Sequence, residues 1–161
     1  MKFKVYILVI GAVSMFSFFD EESKGKVVSV LDGNTVQVLT LEGERHKILL
    51  YGIDSPDSGQ NFSDHAKTLL SKLVLNRDIT LVMRGKDRWG NRIGEIQIAG
   101  AHDPSSELVR EGLAWTTEPN PEWELLKEHA RNQGIGLWSD EHPMPPWLYR
   151  RQQSMMQAKS M

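Results

Sequence analysis

The chain has 161 residues, enough for one domain with its own hydrophobic core and too few for two ordinary domains. Apolar residues make up 40% and charged residues 25%, which excludes a largely disordered chain. The net charge of −2 does not favour a protein that binds polyanions through bulk charge. Cysteine is absent from the sequence, which excludes disulfides, thiolate metal sites and thiol nucleophiles.

The N-terminal segment has the pattern of a secretory signal or a short signal anchor. Lys2 and Lys4 precede a charge-free apolar run over residues 5–19, and acidic residues follow it. The run is shorter than the roughly 20 residues that span a bilayer, which favours a cleaved signal, whereas the lack of a small-x-small pair at its end favours an uncleaved anchor. A buried N-terminal helix or strand is the alternative. We expect residues 1–23 to be a signal peptide or membrane anchor, and the protein to be exported: periplasmic, secreted or membrane-anchored.

Three strand-like segments follow. Residues 26–31 and 35–41 alternate around Asp32-Gly33-Asn34, which predicts a β-hairpin because Gly and Asn accept the backbone angles of tight turns. Residues 46–53 predict a third strand. After a loop, apolar residues recur at helical spacing between Ala66 and Val74, and Ser63 is placed to cap the first turn of that helix.

The second half of the chain alternates strand and helix signals. Residues 79–83 and 93–98 predict a fourth and a fifth strand, separated by a turn. Asp103-Pro104 and Asn120-Pro121 predict the starts of two helices, and the first of these should stop at Gly112. Five strands with three helices fit a small closed β-barrel, which hides its sheet edges, although periodicity alone leaves the topology open. We expect the domain to span residues 24–150 and residues 151–161 to form a flexible tail.

Five separated segments carry a family resemblance. They are V-L-D-G-N-T-V at 30–36, Y-G-I-D-S-P-D at 51–57, D-R-W-G-N at 87–91, E-L-V-R-E-G-L-A-W at 107–115, and H-A-R, G-L-W and P-W between 129 and 147. In this order they resemble motifs of the staphylococcal-nuclease-like proteins. The resemblance implies an α+β, mainly β, OB-fold with a five-stranded barrel and three helices.

The resemblance also implies a hydrolytic site, in which active members use calcium and two arginines to cleave phosphodiesters. Its metal positions fall on Asp54, Ser55 and Asn34, with Asp57 as a weaker candidate. Asn34 replaces a carboxylate and loses its charge, on which the affinity of a hard cation depends. Asp57 stands at the general-base position but is one methylene shorter than the family's glutamate, and a shift of order 1 Å can cost about a hundredfold in rate. Asn34 is equally explained as a turn residue, and Asp54 as an Asx-turn residue.

Both family arginine positions are occupied by residues that carry no charge. They fall on Leu49 and Asn91, and neither side chain can clamp a phosphate as a guanidinium does. Lys47, and Arg45 beyond it, share a strand face with Leu49 and are candidate substitutes. Arg92 follows Asn91 but would point to the opposite face unless the preceding turn is rearranged.

The remaining candidates have ordinary structural explanations. The histidines lack metal-ligand spacing, which excludes a zinc site. Trp89, Trp115 and Trp123 could stack on unpaired bases but are more typical of packing. Arg150 and Arg151 form a local basic pair, a pattern typical of solvated surface.

We therefore expect a catalytically inactive nuclease-like domain without a cofactor, acting as an exported or membrane-attached module that binds another protein. A calcium-dependent endonuclease of reduced activity, using Asp57, Lys47 and Arg92, is the first alternative. A non-cleaving nucleic-acid-binding domain is the second, and the acidic net charge counts against it.

Overall fold

The structure is a computed structural model that describes residues 22–160. The predicted signal or anchor segment lies outside the described residues, apart from its last two positions. The elements in chain order are β1 (Glu22–Val30), β2 (Thr35–Thr40), β3 (Arg45–Leu50), β4 (Ile53–Asp54), α1 (Ser63–Val74), β5 (Asp78–Lys86), β6 (Arg92–Gln97), α2 (Pro104–Arg110), β7 (Trp115–Thr116), α3 (Pro121–Asn132), a 3₁₀ helix (Gly136–Ser139) and α4 (Pro146–Ser160).

Five of the strands form a closed barrel in the order β1-β2-β3-β6-β5, and β5 pairs back onto β1. The β3–β6 pair is parallel and the other barrel pairs are antiparallel. This confirms the predicted five-stranded, OB-like α+β fold. The short strands β4 and β7 form a separate antiparallel pair outside the barrel.

The core fills the barrel and extends beneath the helices. Ile48 and Leu50 point inward from β3, whereas the alternating Lys47 and Leu49 face outward, as the twofold repeat of a strand requires. Helix α1 buries the apolar face that the sequence predicts. The fully or nearly fully buried residues include Val27, Val36, Val38, Ile48, Ala66, Leu70, Val74, Leu81, Ile96, Leu108 and Val109.

The predicted third strand is interrupted at a glycine. β3 ends at Leu50, and Gly52 takes a left-handed φ of +75° before the chain enters β4. The Trp123 ring packs so closely there that a Cβ on Gly52 would lie 2.5 Å from it. Only glycine meets both conditions without strain, and the resulting turn points β4 and Asp54 away from the barrel wall.

The helix starts follow their capping residues in two of three cases. Asp103 accepts hydrogen bonds from the backbone N–H groups of Ser105 and Ser106, and Asn120 caps α3 in the same manner, as predicted. The predicted cap at Ser63 is wrong. Ser63 is the first helical residue, and Phe62 before it adopts a left-handed φ of +67° without a side-chain cap. A turn in which the Gln60 N–H donates to the Asp57 carbonyl at 2.9 Å precedes this helix start.

A fourth helix appears where the sequence predicted the end of the domain and a flexible tail. Pro146 starts α4, since its fixed φ suits the first helical position, and the helix runs through residues 151–160. Every side chain from 151 to 160 is exposed. The flexibility of this segment stays a prediction. Over residues 22–160, no helix combines the length and apolar character that crossing a bilayer requires.

We expect Leu70→Ala to lower the free energy of unfolding by about 2–5 kcal/mol, because its side chain is fully buried against the barrel. Leu125→Ala is the matched control on α3, since Leu125 is 69% exposed, and its effect should stay within about 0.5 kcal/mol. Urea unfolding followed by tryptophan fluorescence measures both. Equal losses in the two variants would contradict the placement of this core.

Candidate functional site

Two aspartates lie together where β4 leads into the loop before α1. Asp54 is the last residue of β4, and Asp57 follows after the buried Ser55 and Pro56. Their side chains are 15% and 34% exposed, so both carboxylates are partly withdrawn from water. We call Asp54, Asp57 and the adjoining Asn34 and Ser55 the carboxylate cleft.

Arg150 on α4 binds both carboxylates at once. Its Nη2 donates to Asp54 Oδ2 at 2.6 Å, and its Nη1 donates to Asp57 Oδ1 and Oδ2 at 3.1 Å each. Nη1 also lies 3.3 Å from Asp54 Oδ1. All four carboxylate oxygens therefore accept hydrogen bonds from one guanidinium, which is a geometry that a lysine could not reproduce.

A tryptophan cluster fixes the base of α4 beside the cleft. Asp54 pairs with Trp115 across β4 and β7, which places the two side chains on the same face of this short sheet. Trp147 packs edge-on against Trp115 with ring centroids 5.7 Å apart, and Trp138 packs on Trp115 at 4.8 Å. Arg150 lies three residues after Trp147, hence on the same face of the helix, and reaches Asp54 from there.

The loop that carries Asp57 is fastened to the same segment. Gln60 Oε1 accepts a hydrogen bond from the Asp57 backbone N–H at 2.9 Å, while Gln60 Nε2 donates to the Met144 carbonyl at 2.9 Å. Gly59 has a φ of +93°, and a Cβ there would lie 2.7 Å from the Tyr149 hydroxyl. These contacts hold the loop against the base of α4, within reach of the Arg150 side chain.

The charges in the cleft shift two pKa values. Burial raises the pKa of Asp57, and the charges of Asp54 and Asp32 add to this, whereas Arg150 acts in the opposite direction. Hydrogen bonding to Asp54 and the charges of both partners raise the pKa of Arg150. Arg150 is 49% exposed, so each ion pair contributes only about 0–1 kcal/mol to stability.

The cleft in this arrangement does not fit a calcium ion. The oxygens of Asp54 and Asp57 are engaged by Arg150, and a hard cation needs six to eight oxygen ligands. Asn34 directs its amide N–H to the Ile53 carbonyl, and the buried Ser55 hydroxyl donates to the Gly33 carbonyl. Over residues 22–160, no three acidic, histidine or cysteine side chains are arranged to hold a metal.

The predicted arginine substitutes do not contact the carboxylates. Leu49 is half-buried on the outward face of β3, and Lys47 on the same face is exposed. Asn91 is committed to its own turn, where its amide donates to Asp87 Oδ2 at 2.8 Å. Arg92 begins β6 in register with Ile48. Within the described part of the chain, neither Lys47 nor Arg92 forms a hydrogen bond or ion pair with Asp54 or Asp57; their catalytic use stays a prediction.

Sequence patterns do not indicate the role of three residues near the site. They interpret Arg150 as solvated surface, Asp32 as a turn residue and Gln60 as part of a loop. The available signal was the Pro146-Trp147 pair, because a buried proline and an aromatic anchor one turn earlier fix the position of a helix start. Arg150 and Asp54 are 96 residues apart, so no local pattern connects them.

Comparison with known proteins identifies the family of the chain. The family model for staphylococcal nuclease homologues matches residues 47–140. An uncharacterized endonuclease of Escherichia coli is 33% identical over 129 residues, covering 78% of this chain and 84% of that protein. An uncharacterized endonuclease of Haemophilus influenzae is 32% identical, covering 86% and 79%, and a micrococcal nuclease of Shigella flexneri is 30% identical, covering 80% of each.

We expect Arg150→Gln to raise the pKa of Asp57 further, because the contributions that lower it come from Arg150. When the folded-state pKa of Asp57 lies above its unfolded-state value, the folded protein binds more protons between those two pKa values. The stability that protonated Asp57 contributes is therefore lost as pH rises through the folded-state pKa. The variant should therefore lose more stability between acidic and neutral pH than the wild type.

Carboxylate ¹³C NMR titration measures the pKa directly. Arg151→Gln removes the same charge from an exposed neighbour on the same helix and should leave the Asp57 titration unchanged. A lower Asp57 pKa in Arg150→Gln would contradict the assigned contacts.

Proposed function

The chain belongs to the staphylococcal nuclease family, and from that premise we propose that it is a catalytically inactive member that acts by binding another protein. The observation that carries the proposal is the guanidinium of Arg150 on Asp54 and Asp57. It engages the two carboxylates that the family resemblance assigns to the metal and to the base, and it compensates part of their charge. Arg150 acts against the burial that raises the pKa of Asp57, and its hydrogen bonds occupy the carboxylate oxygens that a base would use.

The residues at the two family arginine positions, Leu49 and Asn91, support the same proposal. A leucine at position 49 cannot stabilise charge on phosphorus oxygens, and the Asn91 amide is already bound to Asp87. Removing one such donor costs roughly 10²–10³ in rate, so the loss of two leaves little hydrolysis. The barrel and its core do not need arginines at these positions, so the fold can be kept without the catalytic activity.

An apolar surface at the base of α4 supports a protein partner. Met144, Trp147 and Leu148 are exposed, and Met144 and Leu148 line a groove of about 680 Å³ together with Trp115 and Trp138. Aromatic residues and methionine are enriched in protein interfaces. We further propose that the protein is exported, on the basis of Lys2, Lys4 and the apolar run at residues 5–19.

A calcium-dependent endonuclease is the second candidate. The names of the relatives from Escherichia coli and Shigella flexneri favour it, as does the presence of both Asp54 and Asp57. A non-cleaving nucleic-acid binder would use the β5–β6 turn, where Trp89 is 71% exposed and stacks under the Arg88 guanidinium at 3.9 Å.

We expect residues 24–161 to leave single-stranded DNA intact with or without calcium, because neither a metal site nor a phosphate clamp is formed. The measurement is gel electrophoresis of end-labelled DNA, with the Shigella flexneri relative as positive control. Calcium-dependent cleavage that disappears in Asp54→Ala would establish the endonuclease instead. Retardation of uncut DNA that weakens with salt would establish the nucleic-acid binder.

Restoring the family residues tests whether the loss lies only in the site. We expect the combined variant Asn34→Asp, Leu49→Arg, Asp57→Glu and Asn91→Arg to gain calcium-dependent cleavage, more strongly when Arg150→Gln is added. Each restored donor should contribute on the order of 10²-fold. The same five changes with Asp54→Ala form the control that should stay inactive. If the fully restored protein shows a normal circular dichroism spectrum but does not cleave DNA, the loss of activity is not confined to these positions.

A further inference from the structure

We propose that the guanidinium of Arg150 is an intramolecular cation that takes the place of a bound metal in the carboxylate cleft and competes with divalent metal for it. This rests on the proposed function, in which the cleft acts without a metal. Asp54 and Asp57 have no other cationic partner among residues 22–160, and Arg150 satisfies all four of their oxygens. A metal can therefore enter only where Arg150 leaves.

The charge of the cleft determines which ligand can compete. Two aspartates and one arginine leave it negative, and Asp32 is close enough to raise the pKa of Asp57 further. A negative cleft repels a phosphate and attracts a cation. The competitor of Arg150 is therefore a divalent cation rather than an anion that would draw the guanidinium away.

The contacts of α4 allow the guanidinium to leave without unfolding the helix. Pro146 is buried and Trp147 packs on Trp115, so the base of α4 is held by apolar contacts that do not involve Arg150. The Arg150 side chain itself is about half exposed and has solvent on one side. Its dissociation is a side-chain movement, and the helix and the Gln60 contacts can stay in place.

The same contacts explain why the docked state dominates. Gln60 joins the backbone of Asp57 to the Met144 carbonyl, and the Tyr149 hydroxyl fits the space beside Gly59. The carboxylates and the guanidinium are thus brought together before any metal arrives. A binding-competent state that is populated in only a fraction of molecules weakens the apparent affinity by that fraction.

Calcium binding to the protein, measured by isothermal titration calorimetry, tests this inference. We expect Arg150→Gln to bind calcium at least about tenfold more tightly than the wild type, which is the effect of a cleft that is open in no more than about one wild-type molecule in ten. Arg150→Lys keeps the charge but loses the fork, and should lie between the two. Arg151→Gln lowers the net charge by the same amount on the same helix and should bind like the wild type.

The location of the gained site needs its own control. Adding Asp54→Asn to Arg150→Gln should abolish the gain, because it removes one of the two carboxylates. In the wild type, saturating calcium should also increase solvent exchange of the Arg150 Nε–H in ¹⁵N NMR spectra while the backbone signals of residues 146–149 stay in place.

Three results would overturn the inference: equal calcium affinity of Arg150→Gln and wild type, an equal gain in Arg151→Gln, or a gain that survives Asp54→Asn. The binding measurement contains no nucleic acid and is separate from the cleavage assay. A wild-type protein that cleaves DNA would end the proposed inactivity, whereas only the affinities of these variants decide the role of Arg150.

Discussion

Two carboxylates that a tight turn holds together and partly withdraws from water must be neutralised by a proton, a metal ion or another side chain. Here Arg150 supplies the compensating positive charge, and it reaches all four oxygens of Asp54 and Asp57. The surrounding contacts serve this arrangement. The β4–β7 pair presents Asp54 beside Trp115, Trp147 positions the helix on that indole, and the residues around Gln60 keep the loop at the right distance.

The cleft has changed unevenly with respect to the family pattern. By the family resemblance, Asp54 and Asp57 keep carboxylates at the expected positions and contact an internal cation, whereas the two arginine positions fall on Leu49 and Asn91. These differences leave the barrel intact, because the inward-facing Ile48 and Leu50 of β3 are separate from the outward-facing Leu49. Alternation along a strand lets one face keep the fold while the other changes.

The sequence predicted the parts of the fold that depend on local chemistry. The β1–β2 hairpin and the caps at Asp103 and Asn120 were predicted. The reason given for the hairpin turn was wrong, because neither Gly33 nor Asn34 has a positive φ, and Gly33 is instead constrained by the close approach of Ser55 and Ala66. The start of α1 was not predicted, since Phe62 before it is left-handed and carries no side-chain cap. Only part of the site could be predicted. The resemblance pointed to Asp54 and Asp57, but their partner Arg150 lies on α4, and no local pattern connects that helix to the two aspartates.

The distance along the chain between these partners affects how the domain forms during synthesis. Asp54 and Asp57 leave the ribosome 96 and 93 residues before Arg150, and all five barrel strands emerge before Arg150 does. The β1–β2 hairpin pairs residues within Gly25–Thr40, so its contacts are local in sequence. The Arg150 ion pairs are non-local, and they can form only after every strand of the barrel has been synthesised.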